Sequence, residues 1–138
     1  LFVELALDSV YRRGGLAVYS DAQSALYEPT NPGWARAREA LCRARDLLAA
    51  RRIAFGVVLY PFLLERDGVL ASHAAFEIVA EFCAGQGIPV LDTEAAFLGR
   101  ELDPLRVALH DVHANGAAHA IFAGQVADWI AARDWAER

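Results

Sequence analysis

The chain has 138 residues, long enough for one domain with a hydrophobic core. Hydrophobic residues make up 56% and charged residues 22%, a globular composition rather than a disordered one. A net charge of -5 gives no basic footprint for nucleic acid, and the longest apolar run, Ile53 to Leu64, is too short to span a membrane as a helix.

Taken in chain order, Val3, Leu7, Val10 and Tyr11 have helical spacing and predict an amphipathic helix over 1–13, ended by Gly14-Gly15. The alternative there is a strand from Phe2 to Leu7 running into a turn at Asp8-Ser9. Residues 16–33 have no clean period and, with Pro29, Asn31, Pro32 and Gly33, read as a loop. A strong helix follows over 34–52, its buried stripe formed by Trp34, Ala37, Leu41, Ala44 and Leu48. The uninterrupted apolar run 53–60, stopped by Pro61, predicts a strand buried on both faces of a parallel sheet. Residues 61–69 then form a loop at that strand's C-terminal end, the edge where open α/β sheets bind ligands.

A second helix is expected over 70–85, with Ala75, Ile78, Val79 and Phe82 on one face and Gly85 and Gly87 breaking it. Residues 88–92 read as a short strand, with Asp92 capping a turn over 93–97. Residues 100–109 link to a last helix over 116–133, with Asn115 as its N-cap and Phe122, Val126, Trp129 and Ile130 as its buried face. Residues 134–138 are a frayed tail. Cys42 and Cys83 lie on or beside apolar helix faces and read as buried free thiols, too few for a disulfide framework. The strand–helix–strand order predicts an α/β chain with a parallel sheet.

The chemistry concentrates in Leu109-His110-Asp111-Val112-His113-Ala114-Asn115-Gly116, read as a loop just before the last helix. A histidine can take and return a proton at neutral pH, and a carboxylate on its other ring nitrogen fixes the tautomer and stabilises the imidazolium. Asp111 and His113 are therefore the candidate acid and base. The plain alternative is a polar loop closed by a helix cap. A metal site built from His110, Asp111, His113 and His119 would suit zinc. Yet His110 and His113 have no regular-element spacing to aim them together. His119, one turn into the helix, reads as structural.

The string from Asp111 to His119 resembles the last conserved block of the SGNH (GDSL-type) serine hydrolases, in which an Asp, the catalytic His, often Pro-Asn, and a second His lead into the C-terminal helix. Asp111, His113, Asn115 and His119 match, and Ala114 stands where Pro is usual. The helix from Trp34, the run Val57-Val58-Leu59-Tyr60-Pro61 and Gly87-Ile88-Pro89-Val90-Leu91-Asp92 occur in the order of that family's C-terminal half.

The resemblance implies a three-layer, flavodoxin-like (SGNH-type) parallel sheet flanked by helices, incomplete at its N-terminal side. Residues 1–138 would be a single domain forming the C-terminal part of an SGNH hydrolase domain. It also implies action on carboxylic esters, acetyl esters of carbohydrates among them, with no cofactor, His113 as general base and Asp111 orienting it. The family's Gly-Asp-Ser and Gly-x-Asn-Asp strings do not occur; Asp8-Ser9 echoes the first, with Leu7 in place of Gly and no Gly-rich turn after Ser9. The nucleophilic serine and oxyanion donors are thus expected outside this chain, which begins at Leu1, contains no Met and reads as a piece of something longer. The rival expectation is a catalytically inactive domain that keeps the fold and binds a partner.

Overall fold

Asn31 starts the first long helix, α1 (Pro32–Ala49), by accepting hydrogen bonds on its side-chain oxygen from Gly33 N at 2.8 Å and Trp34 N at 3.4 Å. Proline at the first helical position costs nothing there, so the helix begins two residues earlier than the apolar stripe suggests. The computed structural model describes residues 25–66, 68–108, 111–133 and 135. The predicted helix over 1–13, Ser9 and most of the tail lie outside them. The helix ends at Ala49, short of the expected 52. Arg52 is left-handed (φ 58°), with Arg52 N bonded to Ala49 O and Ile53 N to Leu48 O, the two bonds of a Schellman cap made without glycine.

The remaining elements are β1 (Val57–Leu59), β2 (Glu65–Arg66), β3 (Val69–Leu70), α2 (His73–Gly85), β4 (Val90–Asp92), β5 (Arg106–Ala108), β6 (Asp111–Ala114) and α3 (Gly116–Ala131), with 3-10 turns at Glu94–Ala96 and Asp103–Leu105. The architecture is mixed α/β. β1 and β4 run parallel with Val57 opposite Val90 and Leu59 opposite Asp92, and α2 lies between them in sequence. β2 with β3, and β5 with β6, form two antiparallel ladders.

Three expectations need correction. The run 53–60 is not a strand buried on both faces: only Val57–Leu59 is extended in a ladder, Ile53 is 51% exposed, and Leu59 alone of the three strand residues is buried. Ile53 is still engaged in closing α1, and β1 has one ladder partner among the described residues. The loop over 61–69 contains the β2–β3 ladder, which takes Leu70 from the start of the helix and leaves α2 to begin at His73. The last helix buries Ala118 fully, while Ile121, Phe122, Val126 and Trp129 are half-buried and Ile130 is exposed.

Two cores result. Trp34, Leu59, Val79, Cys83 and Ile88 join α1 and α2 to the parallel pair, with Tyr27 and Phe82 edge-on to Trp34 at 5.3 and 5.4 Å. Leu63, Leu70, Phe97, Leu102 and Ala118 form the second, beneath the C-terminal end of β1 and the start of α3. Cys83 is buried and Cys42 half-buried, both as free thiols. No described helix is long and apolar enough to cross a membrane.

Candidate active site on the Asp111–His113 strand

Asp111 and His113 occupy a strand, not the loop read from the sequence. Side chains two apart on a strand point to the same face, so Asp-x-His is itself the spacing that brings acid and base together. His113 Nδ1 lies 2.6 Å from Asp111 Oδ1, and the same oxygen accepts the His113 backbone N–H at 3.1 Å. A carboxylate at that distance places the imidazole proton on Nδ1. Nε2 is left as the basic nitrogen, with no partner among the described residues. The ring hydrogen bond, and after it the backbone one, hold the Asp111 carboxyl below its usual range. Both side chains face solvent, His113 at 70% exposure and Asp111 at 45%, so the pair contributes little to stability, and what it offers is orientation. Phe62 stands edge-on to the His113 ring, 5.6 Å between centroids.

The strand is held from three sides. Leu63 N donates to Val112 O at 3.2 Å, tying β6 to the segment that leaves β1. Arg106, buried on β5 opposite Ala114, donates from Nε to Leu63 O at 2.5 Å and from Nη1 to Asp103 Oδ1 at 2.7 Å. Asn115 caps α3 as expected, its oxygen accepting from Ala117 N at 2.9 Å and Ala118 N at 3.2 Å. It also does what the cap reading missed. Its amide donates to Pro104 O at 2.8 Å and Arg106 O at 2.9 Å, fastening helix, turn and hairpin at one residue.

His119 is not brought to the pair; its ring stacks on Tyr60 at 5.4 Å, beside Phe122, in keeping with the structural reading. No group of three or more His, Cys, Asp or Glu side chains among the described residues is arranged to hold a metal ion, and His110 lies outside them. Asp92 caps its turn, Oδ1 accepting Glu94 N at 2.9 Å.

Ser72, the one serine among the described residues, does not face His113: it is buried and donates to Glu94 Oε1 at 2.9 Å. The other oxygen of Glu94 meets His73 Nδ1 at 2.7 Å, a second histidine–carboxylate pair that sequence reasoning missed. Residues 21 apart carry no local spacing to betray it. Arg106 was more legible, because a lone charge inside Leu105-Arg106-Val107-Ala108 has to find partners if it is buried. Set against known proteins, the chain matches no family model, no curated protein and no solved structure.

Proposed function

We propose that this chain is the C-terminal portion of an SGNH-type hydrolase acting on carboxylic ester bonds, with small-molecule or carbohydrate esters as substrates. The observation that carries the reading is the 2.6 Å contact between His113 Nδ1 and Asp111 Oδ1, made by neighbouring positions on one strand face with Nε2 left open. In this reading β1 and β4 belong to a three-layer, flavodoxin-like parallel sheet whose other strands lie outside the described residues.

The chemistry follows from that geometry. His113 Nε2 takes the hydroxyl proton as a serine oxygen attacks the acyl carbon. It returns the proton to the alcohol oxygen as the acyl–oxygen bond breaks. A water then repeats the two steps and releases the acid. Asp111 keeps the Nδ1 tautomer and stabilises the imidazolium between them. The serine and the oxyanion donors come from outside the described residues, and without those donors the largest electrostatic contribution to such a reaction is missing.

One observation favours the alternative, a catalytically silent domain of the same kind: the family's Gly-Asp-Ser and Gly-x-Asn-Asp strings do not occur in this sequence. Fluorophosphonate labelling separates the two. A longer natural polypeptide containing this chain is expected to hydrolyse p-nitrophenyl acetate and to label at a serine preceding residue 25. Both should fall at least about a thousandfold in His113→Ala, the usual scale for losing a catalytic base. Labelling that survives His113→Ala, or a folded longer protein that neither labels nor hydrolyses, refutes the hydrolase reading.

A further inference from the structure

Glu94 carries a carboxylate into the protein: the residue is 4% exposed, in the first turn after β4. A buried carboxylate needs partners, and it has two. Ser72 Oγ donates to one oxygen at 2.9 Å and His73 Nδ1 to the other at 2.7 Å. Ser72 and His73 are the N-cap and first residue of α2, and Ser72 makes no side-chain cap bond to its own helix because its hydroxyl is turned to Glu94. The contact therefore joins two elements that are 21 residues apart in sequence.

The two halves differ in access to water. Ser72 and Glu94 are inside, whereas the His73 side chain is 47% exposed and can exchange its proton with solvent. We propose that Ser72, His73 and Glu94 form a proton-operated latch, which fastens the N-terminus of α2 to the turn after β4 and loosens when the His73 imidazolium loses its proton. In the neutral state the Nδ1–H bond to Glu94 persists while the charge that balances the buried carboxylate is gone.

Three carboxylates face the imidazole: Glu94 from the turn, Glu77 from one turn along α2 with its Oε1 3.7 Å from Nε2, and Asp92 from the end of β4. The hydrogen bond to Glu94, followed by the charges of Glu94, Glu77 and Asp92, raises His73 above the ordinary imidazole value against the opposing effect of burial. The sense of the linkage is fixed by that direction. A folded-state value above the unfolded one means that the proton favours the folded form. The latch is fully effective below about pH 6.5, the value for a free side chain, and is lost as pH rises through the higher folded value.

Imidazole NMR on the full chain, titrated from acid to alkaline pH, tests this. The chain has four histidines, so His73 is identified as the resonance missing from His73→Gln. Its midpoint is expected above that of a free histidine, and Glu94→Gln, which keeps an acceptor for Ser72 and removes the charge, should move it down to or below that value. In urea, the advantage of the wild type over His73→Gln should shrink as the pH is raised through the His73 midpoint. A wild-type midpoint at or below the ordinary value overturns the latch, and so does an advantage over His73→Gln that is the same on both sides of it. If Glu94→Gln fails to fold, the wild-type midpoint and the comparison with His73→Gln still decide.

Discussion

Replacing Asn115 by alanine is the sharpest test of how the candidate site is held. The residue makes four side-chain hydrogen bonds, two as the cap of α3 and two to the carbonyls of Pro104 and Arg106. Losing the cap costs about 0.5–2 kcal/mol. Each lost amide donor costs about 0.5–1.5 kcal/mol, nearer the low end at exposed Pro104, where water replaces it. The sum is about 1.5–4 kcal/mol, a large fraction of the stability of a domain this size. In urea, with a slope of about 2 kcal/mol/M, the midpoint should fall by about 1–2 M at unchanged slope. Asn115→Ser separates the two roles, since a hydroxyl caps the helix and cannot span to the two carbonyls; about half the loss is expected. The reasoning is refuted if Asn115→Ala moves the midpoint by less than about 0.2 M, the size of an ordinary surface substitution. It is also refuted if serine is as damaging as alanine, because the cap would then contribute nothing.

Two further substitutions probe the fold at its close approaches and turns. A Cβ on Gly56 would lie 2.6 Å from Cη2 of Trp129 and 2.7 Å from that of Trp135, with the Pro89 carbonyl at 3.2 Å. Gly56→Ala should cost about 1–3 kcal/mol by overpacking and shift tryptophan emission, and unchanged stability and emission would mean that the rings do not close over the strand. Arg52→Gly should stabilise by about 0.5–1 kcal/mol, because the left-handed backbone at φ 58° penalises a side chain more than glycine costs in chain entropy. A loss of stability in urea would show that Arg52 contributes contacts that outweigh its strain.

How much was legible depended on whether local pattern or distant partners decided the outcome. The middle of α1 was plain from Trp34, Leu41 and Leu48, and its start was hidden only by Pro32, which the loop reading took as a breaker although it suits a first helical turn. The β2–β3 ladder lay under a charged stretch, yet Asp67-Gly68 between Glu65-Arg66 and Val69-Leu70 is a hairpin signature, and Gly68 has the positive φ (80°) such turns need. β6 was hard to see because it is only four residues long: the polar–apolar alternation of Asp111-Val112-His113-Ala114 is too short to stand out just before the helix cap at Asn115. Asp111 and His113 were found by their chemistry; their strand pairs with Arg106–Ala108 only three to eight residues away, but the intervening Leu109-His110 carries no Gly, Asn or Pro turn signal to announce a hairpin. Leu63 is different: it meets both Val112 and Arg106 across more than 40 positions, which no local window contains.

The two histidine–carboxylate pairs are close to equal in length, 2.6 Å at Asp111–His113 and 2.7 Å at Glu94–His73, so distance does not distinguish what they do. Burial does. Glu94 is enclosed and a charge there must be balanced for the fold to hold, which commits His73 to stability, and its Nε2 already faces Glu77. Asp111 is nearly half in water and needs no partner for its own sake. Its carboxylate nonetheless takes both the ring and the backbone N–H of His113, which fixes that ring by two bonds from one residue and leaves its second nitrogen unopposed among the described groups. An imidazole oriented at no benefit to the core, on a strand tied down by Leu63, Arg106 and Asn115, fits the proton transfer proposed for it, whereas an imidazole spent on a buried charge serves the fold.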